Sequence, residues 1–289
     1  MKKKIIIALI VIILLIVVFF ATKNPLAKEI YDGCKNIKSY IVVKTSDEYN
    51  KLDSEKKYYK SEKNIRIPIL IYHEIPTEKP TRDLYYMQTT ATQFEKQIKG
   101  LLEEGYTFIS YQDLADYYDG AKALSEKSVL IGFDDGWADN YYNAFPILKK
   151  YNIPAAIYVV DDLVGTDGYF NWEQAEEMSR SGLISIFSHG RTHIFYDKES
   201  VETLISDVEI AYENIEKHVG KAKIRVFTYP YGACRQDQIE ALYEKGYIQN
   251  MTDDEINKSD SLELKSLHRY YVKQNESAYK IIRNINELN

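Results

Sequence analysis

The stretch that most restricts the fold is Ser128-Val-Leu-Ile-Gly-Phe-Asp-Asp-Gly-Trp137. Val129, Leu130, Ile131 and Phe133 form a short apolar run of the kind carried by a strand covered on both faces. The run ends in two adjacent carboxylates, Asp134 and Asp135, followed by Gly136. Neighbouring acids at the end of a buried strand repel each other and are costly to desolvate. Either a divalent cation holds at least one of them, or one caps the next helix while the other stands in water. The stretch by itself leaves both readings open.

The remainder of the chain alternates strand and helix signals. Ile67 to His73 reads as a first strand. Thr92 and Glu95 fit a capping box for a helix carrying Phe94, Ile98, Leu101 and Leu102, which Gly105 stops. Tyr106 to Ile109 is a short strand, and Ser110 with Asp113 opens a second helix closed by Gly120. After the central strand, a helix over 138–150 carries Tyr141, Tyr142, Phe145 and Leu148 at helical spacing. Strands over 153–160, 183–187 and 224–229 then alternate with helices over 172–180, 201–220 and 236–245. At least one more strand at 267–272 and a helix from Ser277 complete the chain. This order predicts an α/β domain with a mainly parallel sheet. His73, Asp134, Asp135, His189 and the Tyr229-Pro230-Tyr231 turn each follow the C-terminal end of an expected strand. At that edge barrels and open α/β sheets bind their ligands.

The 289 residues suffice for one large domain and some extra, and a net charge of −6 leaves no basic footprint for nucleic acid. The chain opens with Met1-Lys-Lys-Lys4 and an uninterrupted apolar run over 5–21. That run is at the short end of the roughly 17 to 25 residues that cross a bilayer as a helix. The lysines should stay in the cytoplasm, which sends the bulk of the chain outside. A cleaved signal peptide is the rival, but the run is long for one and no Ala-x-Ala site follows. The expected organisation is a cytoplasmic basic segment (1–4), a transmembrane anchor (5–21), a charged stalk (22–64) and a folded domain (65–289) outside the cell membrane. Cys34 and Cys234 are the only cysteines and lie too far apart in sequence to read as a metal motif.

His189-Gly-Arg-Thr-His193 puts two imidazoles four residues apart, a spacing that on a helical turn lets both reach one metal. Alone, the pattern more often describes two solvent-facing or core histidines. Yet of five histidines in the chain, His73, His189 and His193 fall at strand ends. One Asp with two His leaves an open position on a zinc-like ion, the arrangement of a catalytic site.

Together these residues resemble the polysaccharide deacetylases, carbohydrate esterase family 4. Gly132-Phe-Asp-Asp-Gly136 matches the family's Thr-Phe-Asp-Asp-Gly, and His189 to His193 its His-Ser/Thr-x-x-His, with Gly190 at the Ser/Thr position. Pro230-Tyr-Gly232 matches the end of its third motif, and the likeness covers roughly residues 65 to 272. The resemblance implies a distorted (β/α) barrel, often seven-stranded, that removes acetyl groups from an acetylated sugar. It implies that Asp135, His189 and His193 hold a divalent metal, most suitably zinc. Asp134 would be the general base, and the backbone N–H of Tyr231 would help bind the oxyanion.

Two departures stand out. Thr228 occupies the position of an Arg that orients the base, and only Leu267-His268-Arg269 comes near the late Leu-x-His motif. With Ile71-Tyr-His-Glu74, they resemble the branch that deacetylates poly-N-acetylglucosamine exopolysaccharides. In that branch the acid histidine lies early, which points to His73, with His268 as second candidate and Arg269 as a replacement for the missing Arg. The expected activity is metal-dependent hydrolysis of N-acetyl groups on an N-acetylglucosamine polymer, exopolysaccharide or peptidoglycan, at the cell surface. An O-acetyl esterase acting on xylan or another glycan, and an inactive glycan-binding module, are the alternatives. Glu74 and His218 are expected at the surface. Trp137 and Tyr231 are the aromatic residues expected to meet sugar.

Overall fold

The computed structural model describes residues 64–77, 87–251 and 255–288. The expected membrane anchor, the stalk and Cys34 lie outside the described residues. No helix among the described residues is long and apolar enough to cross a membrane.

The expected single strand over 67–73 is split by Pro68. A proline cannot donate to a ladder, so β1 (Arg66–Ile67) and β2 (Ile69–Tyr72) pair with different partners. The antiparallel partner of β1 is β9 (Asn257–Lys258). β2 instead enters the main sheet beside β4 (Ser128–Asp135), the organising strand. From β4 the sheet continues through β5 (Ala155–Val159), β6 (Ile184–Ser188), β7 (Arg225–Thr228) and β8 (Tyr247–Asn250). On the other side β10 (Tyr270–Tyr271) flanks β2, and β3 (Thr107–Phe108) pairs with the start of β4. Every ladder in this eight-stranded sheet is parallel.

The sheet curls. Leu267 bridges to Asn250 of β8, and three residues later Tyr270 pairs with Leu70 of β2. One stretch, 267–271, therefore touches both edges, giving a half-barrel with helices outside. Period-two alternation distributes β4 over its two faces. Val129, Ile131 and Phe133 pack with Phe94, Ile98 and Leu148 of the outer helices. Leu130 packs inside with Ile69, Ala156, Tyr158 and Val226. Gly132 shares that inner face, where a Cβ would come within 2.6 Å of the Tyr158 ring. Asp134 continues the same alternation and so points into the curl.

Helix boundaries follow capping chemistry. α1 (Ala91–Glu103) is capped by Thr90, which accepts from the Gln93 amide. Thr92 lies inside its first turn, and Glu95 bonds to Lys150 and Tyr151 instead of making the expected capping box. α2 (Tyr111–Tyr118) has the Ser110/Asp113 box read from sequence. The segment after β4 is not one α-helix. Ala138 and Asp139 begin it helically, and a π-turn (Asn140–Ala144) then precedes α3 (Phe145–Tyr151), because Pro146 has no N–H to carry an α-ladder through the join. α4 (Trp172–Arg180), α5 (Val201–Val219), α6 (Gln236–Glu244) and α7 (Ala278–Glu287) complete the outer layer.

Candidate active site

The strand ends deliver their polar residues to one rim, and the adjacent acids separate there. Asp134 follows the alternation of β4 and faces inward. Asp135 turns away with a left-handed backbone, φ 75°, a conformation an Asp tolerates better than most residues.

Both oxygens of Asp134 accept from Arg269, Nη1 at 2.7 Å and Nη2 at 3.1 Å. Arg269 is fully buried on the closing stretch, and its Nε donates to the Met251 carbonyl at 2.8 Å. Burial would raise the Asp134 pKa, but the Arg269 guanidinium, then His189 and His73, outweigh it and hold the carboxyl below its usual range. His73 Nε2 lies 3.8 Å from Asp134 Oδ2. The His73 ring packs 5.5 Å from Tyr271, and its main-chain carbonyl accepts from Asn140 Nδ2 at 2.7 Å. The π-turn thus steadies the residue beyond β2 that faces Asp134.

Asp135 Oδ2 accepts from Trp137 Nε1 at 3.0 Å. Its Oδ1 faces His193 Nε2 at 3.3 Å and His189 Nε2 at 3.6 Å. Burial works against its charge, but His193, His73 and His189 more than offset it and pull the pKa far down. His189 Nδ1 lies 2.9 Å from the Thr228 carbonyl, which can only accept, so Nδ1 carries the proton and Nε2 is bare. Burial pushes the His189 pKa down to about 4, leaving the ring neutral near pH 7.

A neutral imidazole nitrogen and a carboxylate oxygen therefore meet lone pair to lone pair. Asp135 Oδ1 is buried and has no hydrogen-bond partner among the described residues. A cation between them relieves this conflict. One ligand atom from each of Asp135, His189 and His193 lies within 4.8 Å of the others. The residues fit a divalent ion: one oxygen and two nitrogens suit zinc and also accommodate cobalt, nickel or iron, with a position left open.

The two histidines do not converge on a helical turn, as their spacing suggested. His189 leaves β6, and the chain then loops through Gly190 (φ 82°) to His193 (φ 57°). His193 Nδ1 lies 3.0 Å from the Tyr231 hydroxyl. Tyr231 also has a left-handed backbone (φ 60°) and is exposed, stacked on Phe195 with centroids 4.0 Å apart.

The structure thus brings His73, Asp134, Asp135, His189, His193 and Tyr231 to one rim, with Arg269 beneath. His268 is directed elsewhere. Neighbours on an extended stretch alternate, and while Arg269 points in, the His268 ring lies 3.8 Å from Glu255. Glu74 accepts from Gln88, and His218 stacks on Trp172 with centroids 4.7 Å apart. Cys234 is half-buried near Met251 and forms no disulfide among the described residues. Sequence reasoning missed Asn140 and the Thr228 carbonyl. The latter left no signal, because any residue supplies a carbonyl.

Comparison with known proteins gives the same direction. Residues 121–249 match the family described as polysaccharide deacetylase. A poly-beta-1,6-N-acetyl-D-glucosamine N-deacetylase of Staphylococcus epidermidis is 28% identical over 218 residues, covering 67% of this chain and 74% of that protein. The structure of IcaB from Ammonifex degensii superposes with a TM-score of 0.67 at 27% identity, over 76% of this chain and 97% of that one. The Streptococcus pyogenes deacetylase PplD in complex with acetate aligns with a TM-score of 0.70 at 24% identity, over 77% of this chain and 99% of that one. The last likeness is one of fold alone.

Proposed function

Because residues 121–249 match the polysaccharide deacetylase family, we propose that the chain hydrolyses N-acetyl groups from N-acetylglucosamine polymers, exopolysaccharide or peptidoglycan, at the cell surface. The observation that carries the reading is a buried, arginine-clamped Asp134 beside His73 and immediately next to a three-residue ligand set with an orphaned carboxylate oxygen.

Asp135, His189 and His193 would hold the divalent ion, most suitably zinc. A divalent ion there supplies Lewis acidity, lowering the pKa of water and polarising the acetamide carbonyl. Asp134 takes the proton from the attacking water. Arg269 supports this role by keeping the carboxylate ionised and fixed in orientation. The backbone N–H of Tyr231 donates to the oxyanion. An amide nitrogen leaves poorly unless protonated, so His73 gives it a proton. His73 Nε2 stands 3.8 Å from Asp134 Oδ2, near enough for both side chains to meet the same acetamide group. Arg269 supplies the guanidinium missing at Thr228, which removes the main ground for an inactive binding module.

The reading includes an anchor at 5–21, supported by its basic-then-apolar order. Acetate release from poly-β-1,6-N-acetylglucosamine and from peptidoglycan, with and without a chelator, tests the activity. Full activity of Asp134→Asn on every acetylated glycan tried would end it.

A further inference from the structure

His189 is buried, whereas His193 is partly exposed and has a left-handed backbone. A non-glycine residue in that region costs roughly 1–3 kcal/mol and persists only where its surroundings hold it. Something outside the ligand set must therefore keep His193 in place.

The contacts of the loop identify the holder. The Arg191 amide, two residues before His193, donates to Asp207 Oδ2 of α5 at 3.0 Å. Tyr196, three residues after His193, is fully buried, and its hydroxyl donates to the same Asp207 oxygen. That hydroxyl lies against Gly190, where a Cβ would come within 2.4 Å of it. One carboxylate thus gathers the chain on both sides of His193. Burial, then the Asp207 carboxylate, pushes the phenol pKa well up, so Tyr196 stays a donor. The Tyr231 hydroxyl also meets the His193 ring, 3.0 Å from Nδ1, and Gln238 Nε2 donates to the Tyr196 carbonyl at 2.7 Å, while two main-chain bonds hold the first half of the loop. The Asp161 amide donates to the Gly190 carbonyl at 3.1 Å and the Asp162 amide to the Arg191 carbonyl at 3.0 Å.

Given the metal reading above, we infer that Tyr196 and Asp207 form a clasp that presets His193 for the ion: positioning residues that touch neither metal nor substrate. Gly190 belongs to the device, since only a residue without a side chain leaves room for the Tyr196 hydroxyl.

The test is a zinc titration of the metal-stripped full chain against a chromogenic competing chelator. Tyr196→Phe removes only the hydroxyl and should weaken zinc binding about 10- to 100-fold, the usual effect of losing a partner that orients a ligand. In a His193→Ala background the same change should cost nothing further, because the clasp acts through His193. A merely structural role would weaken both backgrounds alike, and that result overturns the inference, as does unchanged affinity in Tyr196→Phe. Should Tyr196→Phe fail to fold, Asp207→Asn runs the same cycle with the same expectations. If the unaltered chain takes up no zinc, the metal reading itself falls and the clasp with it. Tight binding that is indifferent to Tyr196 and Asp207 sinks the clasp alone.

Discussion

Replacing Arg269 by Met removes a fully buried guanidinium while keeping much of its length and volume. Among the contacts that go with it are both bonds to Asp134, at 2.7 and 3.1 Å, and the Nε bond to the Met251 carbonyl at 2.8 Å. Asp134 then stands as a buried charge without its main partner, and deleting one member of such a pair typically costs about 3–5 kcal/mol. For a domain of this size that corresponds to a fall in Tm of roughly 6 to 20 °C. The sign of the pH dependence follows from the cause. With Arg269 present, the Asp134 pKa is depressed on folding, so its contribution is present above the unfolded carboxylate pKa and is lost as pH falls through the folded value. Without Arg269, burial lifts the folded pKa. Stability is then lost as pH rises through that lifted value, so the deficit against the unaltered chain is largest near neutrality and shrinks in acid. Denaturant unfolding at pH 7 and pH 5 measures the deficit, and the acid limb of acetate release should move upward. Arg269→Lys keeps the charge but not the fork, and should lose less stability and shift the limb less. An equal deficit at both pH values together with an unmoved acid limb would refute the reasoning and reduce Arg269 to packing.

His73→Ala should slow amide hydrolysis about 10²- to 10⁴-fold while sparing an O-acetyl ester, whose leaving group needs less help; equal loss on both substrates would count against the acid role. Gly132→Ala forces a methyl to within 2.6 Å of the buried Tyr158 ring and should cost about 1–3 kcal/mol, so an unchanged denaturation midpoint would contradict the packing described. The metal-stripped protein should lose stability as pH falls from about 6.5 to about 4, since the unfolded chain takes up a proton that folded His189 resists. That loss amounts to at most roughly 3 kcal/mol, and a flat profile across the window would argue against a buried neutral His189.

What the sequence determined by itself was local. The periodicities of 2 and 3.6 marked most strands and helices, and the polar residues after the apolar runs marked the rim, because a buried strand can change from apolar to polar only where it ends. The motifs at Asp134-Asp135 and His189 to His193 named the candidate ligands, and their resemblance to a family supplied candidate roles. Tertiary structure decided what depends on closure of the sheet. Arg269 reaches Asp134 across 135 positions because the 267–271 stretch joins both sheet edges, and no local pattern encodes that encounter. The choice of His73 over His268 to face Asp134 follows from the same stretch, whose alternation turns Arg269 inward and His268 away. Even the fate of the two neighbouring acids was settled by the backbone, where a left-handed Asp135 frees its carboxylate to meet the histidines while Asp134 stays with the arginine.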